Sequence, residues 1–150
     1  MDITYQEEAF DSIVEELKPL LHDHWMELAN HKDIRPLDPN YESYSVLNSL
    51  GNIKIFTVRN EGKLIGYASF VIANCLHYKT WVWAVCDVYY LHPEYRKTII
   101  SERMFNKIEA WLKDMKVNSV MVQDKVNHAH QKFFEKLGYT MVEHNYEKVF

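Results

Sequence analysis

One carboxylate, Asp87, stands alone in the otherwise apolar run from Trp81 to Leu91. Burial at such a place would lift its pKa toward the range in which a carboxylate serves as a general base near neutral pH. The plainer role is structural, as a partner for an Arg, a Lys or backbone amides. Directly downstream, Tyr90-Leu91-His92-Pro93-Glu94-Tyr95-Arg96-Lys97-Thr98-Ile99-Ile100-Ser101 has the marks of a strand turning sharply into a helix. Pro93 falls where neither element needs an amide hydrogen, and the first free N–H groups of the helix then form an anion site. Arg96 and Lys97 lie in the turn. An anion here gains about 0.3–1 kcal/mol from the helix dipole, so a phosphorylated ligand fits; two solvated loop charges are the alternative.

Other groupings carry less. Eight His residues invite a metal reading, but His22 and His24, like His128 and His130, are two apart on expected helices and so face different directions. No metal site is expected. Cys75 and Cys86 lack CxxC spacing, which argues against a disulfide framework and for the reducing cytoplasm. Across the first two expected helices and the loop that connects them, Asp23, Asp33, Asp38 and Glu42 mix with Trp25, Tyr41 and Tyr44, a composition that suits a cationic amine through charge pairing and cation–π contact, and equally suits a solvated loop with aromatic anchors. A net charge of −4 with a pI near 6.0 argues against general nucleic-acid binding. No apolar run reaches the length of a membrane span, and the first residues lack the basic and apolar regions of a signal peptide.

The 150 residues, 47% of them apolar, suit one domain over 1–150. Ile3 to Tyr5 predicts a short strand. A helix capped by Asp11 or Ser12 runs to about Ala29 with a kink at Pro19; a loop over Asn30 to Asn40 follows, then a helix from Tyr41 to Leu50 closed by Gly51. Ile53–Arg59 and Leu64–Ala73 are β-rich and joined by a turn in which Gly62 supplies positive φ. Trp81–Leu91 should lie beside them, and both faces of the last two strands are apolar enough to be covered by helices. Ile100, Met104, Ile108, Trp111, Leu112 and Met115 mark a helix to about Met115. Val117–Gln123 predicts a strand, Asn127–Leu137 a helix capped by Asn127 and ended by Gly138, and Tyr139–Val142 and Asn145–Phe150 two closing strands.

That order, with two motifs, resembles the GNAT superfamily of acyl-CoA-dependent N-acetyltransferases, an α/β fold with a central mixed sheet flanked by helices on both faces. The run Tyr90 to Arg96 resembles the family's strand-to-helix pyrophosphate loop, Arg/Gln-x-x-Gly-x-Gly/Ala; matched from Arg96, Ile99 and Ser101 stand where the two small residues normally are. Loops of this wording are similar to those of phage-encoded members. Asn127, His130, Phe134, Gly138 and Tyr139 follow the family's Asn-x-x-Ala-x-x-x-Tyr-x-x-x-Gly-Phe without a break, with Phe134 in place of the Tyr that often reprotonates the leaving thiolate. The resemblance implies acetyl-CoA as cosubstrate and an amine acceptor, with a homodimer left open. It implies that Arg96, Lys97 and the amides of Thr98, Ile99, Ile100 and Ser101 hold pyrophosphate, and that Asn127 and the backbone of Tyr89, Tyr90 and Leu91, on a strand that parts from its neighbour, hold the pantetheine. Asp87 becomes the base, as in polyamine-type relatives. Tyr89 and Tyr139 are the candidate acids, because Phe134 has no proton to give. The rival expectation is a catalytically degenerate GNAT-fold binding or inhibitory module, with or without CoA binding, motivated by Phe134 in place of Tyr and Ile99 in place of Gly; if the Ile99 side chain turns back into the core, CoA binding is weakened or reshaped and not lost.

Overall fold

In the computed structural model, which describes residues 1–150, β1 (Ile3–Glu7), β2 (Ile53–Asn60), β3 (Lys63–Asn74), β4 (Val82–Leu91) and β5 (Ser119–Met121) form one sheet in the order β1-β2-β3-β4-β5. The first four strands are antiparallel. β5 runs parallel to β4, which requires a crossover, and α3 (Ile99–Asp114) provides it. Three other helices complete the chain: α1 (Phe10–Leu28), α2 (Tyr41–Ser49) and α4 (Gln131–Lys136).

Each face of the sheet buries one helical stripe. On one side Phe10, Ile13 and Leu17 of α1 cover Ile53, Ile55, Leu64, Tyr67 and Tyr90. On the other, Ile100, Met104, Ile108 and Leu112 recur every four residues along α3 and cover Phe56, Val58, Ala68, Phe70, Ala84 and Cys86. Leu112 has no solvent exposure, so truncating it to Ala would cost about 2–5 kcal/mol. The β2–β3 turn takes positive φ at both Glu61 (51°) and Gly62 (81°), the twist that suits a two-residue hairpin. Gly66 lets the end of β4 approach β3, because a Cβ there would lie 2.9 Å from the Tyr90 carbonyl oxygen.

Three expectations are corrected: the closing strands, the Asn127 cap and the cap of α1. Residues 139 to 150 contain no strand: Tyr139–Val142 and Asn145–Phe150 have apolar residues at suitable spacing, but β5 is only three residues long and gives them no ladder, and Met141, Val142, Tyr146 and Phe150 stay exposed. Asn127 does not cap α4. It lies in a separate single turn, Val126–His128, and His130 takes the cap position with its amide captured by the Asp124 carboxylate. At the start of α1 the cap is Ala9; the Phe10 amide is held by Asn48 Oδ1 at 2.9 Å and the Ser12 hydroxyl donates to the Ala9 carbonyl. The helix continues through Pro19, which is exposed. No helix is long and apolar enough to cross a membrane.

Candidate active site

The pairing of β3 with β4 skips one residue: Ser69 faces Val88 and Phe70 faces Cys86, leaving Asp87 as the extra residue of a β-bulge. The bulge changes which residues face which helix. Ala84 and Cys86 lie on the α3 side, yet after the bulge Tyr89 and Leu91 do, while Val88 and Tyr90 face α1. Asp87 is thereby turned toward α2, where the Tyr44 hydroxyl donates to its Oδ2 and the Ser69 hydroxyl approaches the same atom at 3.4 Å. Asp87 is exposed, so the expected burial is not found, nor is an Arg or Lys partner. Burial and the adjacent Asp87 push the Tyr44 pKa up, which keeps that phenol a donor.

Just beyond the bulge the sheet opens. β5 pairs with β4 only through Trp83–Ser119, Ala84–Val120 and Val85–Met121, so from Cys86 to Leu91 that side of β4 has no ladder partner. The opening is spanned by side chains. The Tyr89 hydroxyl donates to Asp124 Oδ1 at 3.1 Å, and His130 Nδ1 lies 3.1 Å from the same oxygen and 3.4 Å from the hydroxyl. Phe134, one turn beyond His130, is buried edge-on against Tyr89 with ring centres 5.9 Å apart. Burial and Asp124 push the Tyr89 pKa well up. The Tyr139 hydroxyl is buried beside Glu109 of α3 with no hydrogen bond formed, and burial and Glu109 raise its pKa as well.

The turn into α3 departs from expectation in two ways. Arg96 is committed elsewhere: both terminal nitrogens grip the Glu27 carboxylate of α1, Nε donates to the Leu91 carbonyl at 2.6 Å, and the guanidinium lies over the Tyr90 ring. Ile99 is 53% exposed instead of turned inward, and Ile100 fills the core. Lys97 adopts φ of 57°, and Thr98 caps α3 by accepting from the Ile100 amide at 3.2 Å. That side-chain cap serves Ile100 alone, which leaves the Ile99 and Ser101 amides at the helix end for an anion. Asn127 borders a recess of about 140 Å³ with Glu27, Lys125 and His128 at the end of α1.

A larger cavity, about 350 Å³, lies between α1, α2 and the sheet. Of the acidic and aromatic residues expected there, Trp25, Asp38, Tyr41 and Tyr44 line it, while Asp23, Asp33 and Glu42 do not. Its floor includes Tyr67, Ser69 and Val88, which brings it next to Asp87. The Tyr67 hydroxyl and His24 Nδ1 are hydrogen-bonded at 2.7 Å, and His24 also stacks on Tyr90 at 5.0 Å. Burial lowers the His24 pKa to about 4, so its imidazole is neutral and able to accept. No group of three or more His, Cys, Asp or Glu side chains is placed to hold a metal ion.

Residues 13–139 match the model of the Acetyltransferase (GNAT) family. The chain belongs to that family. Its fold is similar to that of the ribosomal-protein-alanine N-acetyltransferase of Brucella melitensis biovar Abortus 2308, with a TM-score of 0.77 at 14% identity over 100% of both chains. It is similar also to glucosamine-6-phosphate N-acetyltransferase from Arabidopsis thaliana, with a TM-score of 0.75 at 14% identity over 100% of this chain and 99% of that one. A third likeness is to a predicted acetyltransferase with acetyl-CoA from Clostridium acetobutylicum, with a TM-score of 0.73 at 11% identity over 99% and 96% of the two chains. No curated protein sequence matches the chain. The range matched to the GNAT family takes in the bulge, the opened edge, the turn into α3 and the run from Asn127 to Tyr139.

Asp124, His130 and His24 were not singled out by sequence reasoning as members of a site. For His130 there was a signal, since it occupies the small-residue position of the second GNAT motif. Asp124 and His24 carry none, because each gains its meaning from a partner distant in sequence, Tyr89 and Tyr67 respectively.

Proposed function

We propose that this chain transfers an acetyl group from acetyl-CoA to a primary amine by direct attack in a ternary complex. The observation that carries the reading is the β4 bulge, which places Asp87 between the cavity and the opened strand edge. The acetyl donor supplies the activated carbonyl; the chain supplies everything else. The backbone groups of Tyr89, Tyr90 and Leu91 on the unpaired edge hold the pantetheine arm, and Asn127 lies beyond them. The free amides at the start of α3 and the Lys97 ammonium receive the pyrophosphate, with Arg96 acting through its hold on Glu27 to fix the turn.

Asp87 takes the proton of the attacking amine, directly or through a water. A new nitrogen–carbon bond forms, the carbon–sulfur bond breaks, and the thiolate leaves with a proton from the chain. Tyr89 is a poor source, since its raised pKa makes transfer to a thiolate of pKa about 8.5 unfavourable. Tyr139 is disfavoured on the same ground. His130, held by the Asp124 carboxylate that also fixes Tyr89 and 3.4 Å from the Tyr89 hydroxyl, is the remaining donor beside the opened edge. A covalent acetyl-cysteine route has no support: both Cys75 and Cys86 are buried, and burial raises the Cys86 pKa far above the reactive range.

A second reading is favoured by Ile99, whose exposed side chain stands at the pyrophosphate position, and by Arg96, spent on Glu27. On it the chain is a GNAT-fold binding module that has lost transfer. One experiment separates the two. Thermal unfolding is followed while acetyl-CoA is titrated in, and thiol release is then recorded with a panel of primary amines. Binding raises the midpoint as RT ln(1 + [L]/Kd). A shift with thiol release supports transfer, a shift without release supports the module, and no shift refutes the cosubstrate site.

A further inference from the structure

We propose that the cavity between α1, α2 and the sheet takes a primary amine carried on one aryl ring or a compact apolar body, and rejects polyamines and amino sugars. This rests on the acetyl-transfer reading and specifies its acceptor. The volume of about 350 Å³ lies at the low end of the roughly 300–1,000 Å³ typical of small-molecule sites, room for a ring and a short arm.

The interior walls are apolar: Phe10, Leu17 and Ile55 are buried there, with Leu21 and Trp25 above them. Three polar side chains reach the floor, and each already has a partner. The Tyr67 hydroxyl is hydrogen-bonded to His24, the Tyr44 hydroxyl donates to Asp87, and the Ser69 hydroxyl approaches Asp87. A hydroxyl-rich acceptor would therefore give up its hydrogen bonds with water and find few free partners on the floor in exchange, which is the basis on which apolar sites reject polar ligands.

Charge is confined to the rim. Arg35, Asp38, Lys125 and Glu147 are all exposed, and Arg35 is paired with Glu147 at 2.6 Å. A polyamine with one nitrogen at Asp87 would have to bury its further ammonium groups against apolar walls or bring them out to a rim of balanced charge, where Glu147 is already paired with Arg35 and Asp38 is offset by Lys125. Asp87, beside the floor residue Ser69, is thus the anionic end of a largely apolar slot. The acceptor's amine goes there and its body lies under Leu21 and Trp25.

Binding is tested first, with no transfer required. Phenethylamine, spermidine and glucosamine are titrated by calorimetry into the full chain, with and without CoA. Phenethylamine is expected to bind at least about tenfold more tightly than either, the scale of discrimination that apolar pockets reach. Leu37→Asp places a charge in the wall from an exposed loop position and should weaken phenethylamine about tenfold while leaving CoA affinity unchanged; Leu37→Met should keep it. Equal or tighter binding of spermidine or glucosamine, or an unaltered phenethylamine affinity in Leu37→Asp, overturns the proposal. Thiol release is then measured with the same amines. Preferential binding of phenethylamine with no release would remove the transfer reading and leave the cavity's preference standing. Faster release with spermidine or glucosamine would remove the preference and leave transfer standing.

Discussion

His24 allows a quantitative test of how tightly α1 closes over the sheet. Its imidazole stacks on Tyr90, is hydrogen-bonded to the Tyr67 hydroxyl, and is held by burial at a pKa of about 4 against an ordinary 6.5. On unfolding it returns to the ordinary value, so between the two pKa values the unfolded chain binds a proton that the folded chain refuses. His24 therefore stabilises the fold fully above pH 6.5, and that stability is lost as the pH falls toward 4. The difference of 6.5 − 4 = 2.5 units is worth about 3 kcal/mol at most, at 1.36 kcal/mol per unit. By about pH 5 roughly 2 kcal/mol of this would be gone, and solvent access to the half-buried ring reduces the figure to about 1 kcal/mol. Urea unfolding near pH 7 and near pH 5, on the wild type and on His24→Gln, measures it. The glutamine stays neutral, so the wild type should lose about 1 kcal/mol more than the variant over this interval. Glu8, Glu16 and Glu27, whose pKa values are lowered chiefly by hydrogen bonds from Arg59 or Arg96 against the cost of burial, lose their stabilisation at lower pH and in both proteins alike. Parallel stability curves, or a His24 pKa above 6 by NMR titration, would refute the reasoning.

Three further outcomes are expected. Asp87→Asn should lower kcat by about a hundredfold or more, the usual contribution of a positioned base, with acetyl-CoA affinity measured by titration staying within about twofold; unchanged turnover would remove Asp87 from that role. His130→Gln should lower kcat at least about tenfold, whereas Tyr89→Phe should stay within about threefold because burial and Asp124 make its phenol too weak an acid; the reverse order would assign the proton to Tyr89. Ile99→Gly should tighten acetyl-CoA by about fivefold, roughly 1 kcal/mol, by clearing the helix end, and calorimetry showing no gain would mean that the Ile99 side chain does not obstruct the anion.

The elements with a clear period were legible from the residues alone. The four-residue stripe of α3 and the Asn-Glu-Gly-Lys hairpin were found where expected, and two motifs pointed to the family. The bulge was hidden, because residues on both sides of β4 are apolar and a slip of phase at Asp87 leaves no mark in the pattern. The fate of Arg96 was equally hidden: its partner Glu27 lies 69 positions earlier. The C-terminal segment failed for the opposite reason. Its spacing suits a strand, but spacing is a property of the segment and a ladder is a property of its neighbour, and β5 ends at Met121. The cavity is likewise built from α1, α2, the loop between them and three strands, so no single window of sequence displays it.

The extra residue at Asp87 also governs which length changes this chain can survive. A strand with one bulge behaves as a phase shifter, and the faces of Val88 to Leu91 are set by a count that passes through it. Deleting Asp87 would make the ladder regular and at the same time either rotate Tyr89 and Tyr90 to exchange sides or pull the turn into α3 back by one position. In the segment Cys75 to Trp81 that joins β3 to β4, one residue more or fewer changes no facing. Single-residue insertions and deletions in natural or laboratory variants should therefore collect in that connection and be absent from β4, where they could persist only in compensating pairs.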